Sequence, residues 1–499
     1  MGIRLAGIGI AEPGIGKVPG RQYTNKEIIV EHLLPHLDPS SFRPKQDSKT
    51  HSLQALIQLM FELAENRPEA KKHSQYIDNA LYNFIFPYLY GLSNYVPSLK
   101  KEFDLGFEKA AKRFTRSMGV QVRGLYVNSS DKYPTNTLAV HAALDAINNA
   151  KKVLDTESYS FDPKKIDGLI CVSNTPDNIF PVHGKKIAQE LGVKAKYYAN
   201  NQMACASMAD AIRTAGQWFK ETKDCNVVLI IAADVTSRIR QSESIKNNPL
   251  QNLIFGDGAA ALVFIRVPGR GGVIVSNIQL DNDAPDFSHR YGYTGDSDER
   301  YEDLFKCGDH NDQKLKEFGE YESKVMAGLI LRYLKTRGGK LEPNDKLILP
   351  EATSIVRSNG LQNLEDEIKK TIKLHTVDTA VPTHGITGSP ATAIAWKQAI
   401  ERGQIKPEDR VTFLNSAISG LNCFGTFDPN AEEIFRFYED VDDQNSTKSE
   451  QTLSPFVECP NTGANSVGLN GKAKKELIID RNLNTVLEEA GKLRERLKV

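Results

Sequence analysis

Three residues of this sequence have the types and settings that could carry chemistry: Cys205 in "NNQMACASMADAI", Glu351 in "NDKLILPEAT" and His384 in "PTHGITGSPATAI". Cys205 stands where an extended run gives way to a helical pattern, flanked by Ala204, Ala206 and Ser207. At a helix N-terminus the unpaired N–H groups and the helix dipole favour a thiolate, and small neighbours leave room for a substrate carbonyl. The local sequence leaves two readings of that sulfur open, a nucleophile and an inert core thiol, because free cysteine is among the most buried residue types.

The elements that must position these residues form an internal repeat. "KIDGLICVSNTP" (165–176), "CNVVLIIAADVTS" (225–237) and "NLIFGDGAAALVFIRV" (252–267) are short, apolar and rich in Val and Ile, which predicts central strands of an α/β sheet. The same order returns about 180 residues later: "NDKLILPEAT" (344–353) echoes the first strand and "RVTFLNSAISG" (410–420) the second. The loop and helix of Cys205 are matched by "PTHGITGSPATAI" (382–394). Two such halves packed face to face would bring equivalent loops to one pseudo-twofold axis, and Cys205, Glu351 and His384 would converge there.

The expected division is therefore an N-terminal half at 1–270, a C-terminal half at 271–435 and a polar linker with a terminal amphipathic helix at 436–499. A helix-rich insertion at about 41–112 interrupts the first half. The chain carries 63 basic and 63 acidic residues, so its charge recommends neither nucleic acid nor an anionic membrane surface as partner. Its apolar windows fall short of the roughly 20 residues that span a bilayer, and no secretory signal opens it, so a soluble, cytoplasmic protein is expected. Six cysteines without a C-x-x-C pair suit neither a disulfide framework nor a zinc site, and no other metal constellation is present. "GIGIAEPGIGKVPG" lacks the Gly-Lys-Ser/Thr ending of a phosphate loop and is expected to form the first strand and its turn. The Gly256-Asp257-Gly258 turn is expected to be structural, through the positive φ that glycine tolerates, and His183 to be packing.

In order along the chain, "IDGLICVSNTPDNIFP", "NQMACASMADAI", "VVLIIAADV", "FGDGAAALVF", "HGIT" and "GQIKPEDRVTFLNSAISG" resemble the thiolase superfamily, most of all its ketoacyl-acyl-carrier-protein synthase III branch. The resemblance covers roughly 1–40 and 113–430. It implies a five-layered αβαβα fold from two duplicated halves, a homodimer, no bound cofactor, and an acyl-CoA or acyl-carrier-protein thioester as substrate. It also implies that Cys205 accepts the acyl group, with its own amide and that of Gly420 as the oxyanion donors.

Two positions depart from the family pattern. Where the family has Pro-His-Gln-Ala-Asn this chain has Pro350-Glu351-Ala352-Thr353-Ser354, and where the family has His-Gly-Asn-Thr it has His384-Gly385-Ile386-Thr387. An ionised glutamate donates no hydrogen bond and isoleucine none at all, so decarboxylation of a malonyl group by the family's usual route is disfavoured. The expected chemistry is acyl transfer or a condensation without decarboxylation, with Glu351 as general base and His384 assisting. Two alternatives stand beside it: an orthodox synthase III whose missing groups are replaced by neighbours or water, and a non-catalytic subunit paired with an active homologue.

Overall fold

The central strands are apolar and buried along almost their whole length, so both faces of each sheet must be covered. A computed structural model describes residues 1–28, 119–126, 133–155, 162–177, 183–238, 254–276, 278–281, 312–364, 372–417 and 420–438, with a few short stretches besides. The strands of the first half are β1 (Gly2–Ala11), β2 (Arg21–Thr24), β3 (Val122–Leu125), β4 (Gly168–Val172), β5 (Tyr197–Asn201), β6 (Val227–Asp234) and β7 (Gly258–Val267). Those of the second are β8 (Gly272–Ser276), β9 (Gln279–Leu280), the short pair β10 (Arg290–Tyr291) and β11 (Phe305–Lys306), β12 (Asp345–Ile348), β13 (Arg410–Ser416), β14 (Leu421–Asp428) and β15 (Phe435–Tyr438). The helices longer than one turn, with one short helix beside the site, are α1 (Pro134–Asp155), α2 (His183–Leu191), α3 (Ser207–Glu221), α4 (Asp312–Thr336), α5 (Ser354–Gln362), α6 (Val381–His384) and α7 (Ala391–Glu401).

The duplication is written in the sheets. One runs β1-β7-β6-β4-β5 and the other β8-β14-β13-β12, with β15 added outside β8. Each sense of pairing repeats: β1 with β7 and β8 with β14 are antiparallel, as are β6 with β7 and β13 with β14, whereas β4 with β6 and β12 with β13 are parallel. Even the edge strand β5 has a trace of its counterpart, a parallel bridge from Leu347 to Thr376.

Five layers follow from where the apolar faces go. On β6, Leu229, Ile231 and Ala233 pack outward with Leu138, Ala142 and Ala146 of α1, while Val228, Ile230 and Ala232 point inward. The inner layer is α3 and α7: Met208, Ile212 and Phe219 from one, Ile394 and Trp396 from the other, packed against Val273, Val411, Phe413 and Phe427 of the second sheet. Beyond that sheet, Met326, Ile330 and Tyr333 of α4 cover Leu347, Leu414 and Phe424. This is the αβαβα arrangement that the resemblance implied.

Three boundaries and reasons need correction or limits. Strand β15 pairs with β8 through Tyr438, so the second half runs three residues past the expected boundary at 435. Residues 439–499 and the insertion at 41–112, apart from its last two residues, lie outside the described residues. Gly256 and Gly258 are structural, but neither has a positive φ. A Cβ on Gly256 would overlap the His384 carbonyl, so it is close approach, not turn geometry, that requires glycine there.

The same cause explains the opening motif. "GIGI" forms β1 as expected, and a Cβ on Gly9 would run into the backbone of α1 at Ala142 and Ala146. Gly9→Ala is expected to destabilise the protein by about 1–3 kcal/mol, the range for overpacking a tight core. Equilibrium urea unfolding measures this, and a midpoint unchanged from wild type would contradict the helix-on-strand packing.

Candidate active site

The loop before α3 holds Cys205 in a strained turn. Ala204 has φ +46°, the one positive φ outside glycine among the described residues. For an L-residue with a Cβ this costs roughly 1–2 kcal/mol, and the buried Ser207 holds it in place. Its hydroxyl accepts from the Met203 amide at 2.6 Å and donates to the Ala204 carbonyl at 2.7 Å. From the other half, Asn415 Nδ2 on β13 donates to the Cys205 carbonyl at 3.1 Å and to Thr392 Oγ1 at 2.8 Å. The turn is thus clamped from both halves of the duplication.

Cys205 shares one pocket with Pro350, Glu351, Ile386, Thr392, Asn415 and Ser416. The convergence predicted for Cys205 and Glu351 is therefore present. Its electrostatics differ from expectation. Burial pushes the Cys205 thiol up to about 12, reinforced by the negative charges of Glu322 and Asp234 and opposed by its own backbone amide. Desolvation and two carboxylates outweigh the helix terminus, so the resting sulfur is a thiol rather than the thiolate the sequence suggested.

Glu351 follows β12 at the pocket wall. Its carboxylate accepts from the Thr379 hydroxyl and from the Ala380 amide at 3.3 Å. Burial raises its proton affinity, while Arg357, these two hydrogen bonds and His384 pull the other way. Ile386 is pinned by its backbone, donating to the Ile254 carbonyl at 2.8 Å and accepting from the Gly256 amide at 3.1 Å. Its side chain gives the pocket only hydrocarbon.

His384 does not line this pocket. It is 3% exposed, with Nε2 2.5 Å from Glu12 Oε1 and Nδ1 beside Thr383 Oγ1 at 2.8 Å and Gln398 Nε2 at 3.1 Å. The ring is buried beside Glu12, Thr383 and Gln398, so the expected direct assistance is corrected to a place outside the pocket lining, within electrostatic reach of Glu351. The Gly420 expectation also changes. Its amide donates to the Ala417 carbonyl at 2.9 Å, closing a turn, and is not turned toward the site as an oxyanion donor. His183 is packing, as expected: it is buried, and burial alone lowers its imidazole to about 4.

Sequence reasoning passed over Glu322, Asn415 and Ser416. Glu322 lies on α4 and is 6% exposed, and its Oε1 accepts the Ser416 hydroxyl at 3.0 Å. Burial lifts its carboxyl to about 7, against the Ser416 hydrogen bond. A signal existed: Glu322, Met326, Ile330 and Tyr333 share one helical stripe, so the charge sits on the apolar face. Asn415 lines the pocket from β13, and its buried Oδ1 has no hydrogen-bond partner.

Comparison with known proteins agrees with the fold. A family model for 3-oxoacyl-[acyl-carrier-protein (ACP)] synthase III matches residues 200–284, which include Cys205. A beta-ketoacyl-[acyl-carrier-protein] synthase III of Wolbachia pipientis wMel is 28% identical over 283 residues, 56% of this chain and 80% of that protein. One from Listeria welshimeri is 26% identical over 324 residues, 64% of this chain and 92% of that protein. Among solved structures, 3-oxoacyl-[acyl-carrier-protein] synthase III from Aquifex aeolicus VF5 is similar with a TM-score of 0.52 and 16% identity, covering 85% of this chain and 99% of that one. OleA of Xanthomonas campestris, solved with bound lauric acid and lauroyl-CoA, is similar with a TM-score of 0.53 and 16% identity, covering 86% and 98%.

The Glu322 shift has a consequence for stability. Its ordinary value is 4.5 and its value in the fold about 7, so between those pH values the folded chain holds a proton that the unfolded chain has lost. Its contribution is intact below pH 4.5 and is lost as the pH rises through 7. Glu322→Gln stays neutral throughout, so its stability relative to wild type is expected to rise between pH 5 and pH 8, by on the order of 2–3 kcal/mol. Paired denaturation curves at the two pH values test this, and a difference that does not change with pH contradicts the buried carboxyl.

Proposed function

We propose that this chain, which resembles ketoacyl synthase III proteins of the thiolase superfamily, loads an acyl group from an acyl-CoA or acyl-carrier-protein thioester onto Cys205 and passes it to an acceptor without decarboxylating a malonyl group. The observation that carries this reading is that Cys205, Glu351 and Ile386 line one pocket. It holds a sulfur, a carboxylate of raised proton affinity and a hydrocarbon where the family pattern has a cysteine and two hydrogen-bond donors.

Cys205 Sγ attacks the thioester carbonyl carbon, the carbonyl oxygen takes up charge beside the Cys205 amide, and the donor thiol departs. The exchange of one thioester for another changes leaving-group basicity little, so the acyl group is held without being trapped. Glu351 then removes a proton from the acceptor's hydroxyl, amine or α-carbon as that atom attacks the acyl carbonyl. Cys205 leaves with its bonding pair and recovers a proton. An enolate formed by loss of carbon dioxide would meet a carboxylate at Glu351 and a methyl group at Ile386, neither of which can donate to it.

Incubating the full chain with straight-chain acyl-CoAs and reading intact mass is expected to show a single acyl adduct, absent in Cys205→Ala. Glu351→Gln is expected to form the adduct yet lose about 10²–10⁴-fold in transfer to acceptor, the range for removal of a general base. Acylated wild type given malonyl-CoA is expected to release no carbon dioxide. Release at a synthase-like rate would instead establish orthodox condensation, and no adduct with any donor would favour a non-catalytic subunit.

A further inference from the structure

The two peptide groups that meet at the Cys205 α-carbon are each held by one buried side chain. On the N-terminal side, the Ala204 carbonyl accepts from the Ser207 hydroxyl at 2.7 Å and from the Ser207 amide at 3.2 Å. A trans peptide is planar with its C=O and N–H opposed, so these bonds turn the Cys205 N–H away from the first turn of α3. Among the described residues no carbonyl accepts that N–H, and it acts on its own sulfur. Ser207 is itself fixed, because it is fully buried and its oxygen accepts from the Met203 amide at 2.6 Å.

On the C-terminal side, the Cys205 carbonyl accepts from Asn415 Nδ2 at 3.1 Å, and the second hydrogen of that amide goes to Thr392 Oγ1 at 2.8 Å. A carbonyl oxygen only accepts, so the Asn415 amide has one orientation here, with Nδ2 toward Cys205. Strand alternation agrees with it. Along β13, Phe413, Asn415 and Ala417 face the layer of α3 and α7, whereas Leu414 and Ser416 face α4. Asn415 and Thr392 are both buried, and Thr392 stands in the first turn of α7. The second half of the duplication therefore grips the main chain of the residue that the first half presents.

We propose that Ser207 and Asn415 are positioning residues for acylation: Ser207 aims the Cys205 N–H at the carbonyl oxygen that takes up charge, and Asn415, anchored on Thr392, fixes the Cys205 α-carbon from the second half. This rests on the acyl-transfer reading above. Both residues act through the Cys205 main chain. With the two peptide planes held, the freedom left to the sulfur is rotation about Cα–Cβ, so a substrate carbonyl meets sulfur and N–H in one standing arrangement. In the step itself Sγ bonds to the thioester carbonyl carbon and an electron pair moves onto the carbonyl oxygen beside the Cys205 N–H. That pair returns as the carbon–sulfur bond to the donor breaks, and the Cys205 proton ends on the departing thiol. The positive φ of Ala204 fits this role, since a backbone kept in a costly conformation needs holders on both sides and such strain collects at functional turns.

Single-turnover acylation of the full chain by a straight-chain acyl-CoA, read as thiol release and Cys205 adduct mass over a range of donor concentrations, tests the proposal. It is run beside alkylation of Cys205 by iodoacetamide, which needs the sulfur and no oxyanion donor. Ser207→Ala is expected to lower the acylation rate at saturating donor by about 100-fold, the size of a lost oxyanion donor, with the half-saturating concentration and the iodoacetamide rate near wild type. Asn415→Ala and the isosteric Thr392→Val are each expected to slow acylation by about 10–100-fold, and Thr392→Ser, which keeps the acceptor, to restore it. Wild-type acylation in Ser207→Ala, or alkylation slowed there as much as acylation, overturns the assignment of the N–H. Wild-type acylation in Thr392→Val overturns the Asn415 anchor, and this pair decides if Asn415→Ala does not fold. Ser207→Cys, which keeps a weak donor, is read in place of Ser207→Ala if that variant does not fold. A smaller fraction of acylating chain with an unchanged rate constant marks a purely structural role and overturns the proposal. A wild-type Cys205 that iodoacetamide alkylates and no acyl-CoA acylates refutes the acyl-transfer reading itself, a result distinct from any of these.

Discussion

Helices α3 and α7 both begin in the seam between the two sheets, and the need to bury those two beginnings together constrains the rest of the molecule. A helix N-terminus brings unpaired N–H groups into a region where water is scarce, and only small side chains leave room for the loops that precede it. The sequence supplies them: Ala204, Ala206 and Ser207 at the start of α3, and Gly388, Ser389 and Ala391 at the start of α7. Gly388 takes φ +76°, and a Cβ there would lie 2.6 Å from Asp234 Oδ2. Asp234 then joins the halves, binding Asn174 from the first and Ser389 from the second. Bulk needed to fill the seam comes from further along each helix, where Trp396 packs between Phe413 and Phe427 at ring separations of 6.2 and 6.0 Å.

Burial at that seam sorts its acidic groups by how completely they are hydrogen-bonded. Asp234 accepts two main-chain amides and three side-chain donors, a satisfied structural anion despite its raised proton affinity. Glu351 accepts two hydrogen bonds and Glu322 one. A carboxylate short of partners in a desolvated place is costly to ionise, and that cost raises the proton affinity of Glu351 and lifts Glu322 to about 7.

Much of the architecture was legible because strand periodicity and the repeat are local patterns. The matched pairs 165–176 with 344–353 and 225–237 with 410–420 became β4 with β12 and β6 with β13. The meeting of Cys205 and Glu351 follows from that repeat. What stayed hidden depends on partners remote in sequence or on main-chain direction. Nothing in "PTHGIT" reveals that His384 turns to Glu12, 372 positions earlier, nor does "SAISG" show that the Gly420 amide folds back on Ala417. Glu322 was visible only as a charge on the apolar stripe of α4, and the meaning of that charge required Ser416 on a strand of the same half. The thiolate expectation failed for a physical reason: a helix terminus contributes a fraction of a charge, and burial beside two carboxylates outweighs it.

The departures at Glu351 and Ile386 are best understood together, as a reversal of the direction in which protons and charge are supported. A pocket with two neutral donors stabilises negative charge that develops on a substrate oxygen. Glu322 and Asp234 act on Cys205 and raise its thiol, and burial raises the proton affinity of Glu351, so negative charge added beside either is disfavoured. Replacing only the histidine by glutamate would leave a donor and an acceptor competing over one carbonyl. With Ile386 in place of the second donor, that competition disappears and the pocket offers hydrocarbon at that position. The raised Cys205 thiol belongs to the same logic, because a field that makes proton abstraction easy makes a free thiolate expensive.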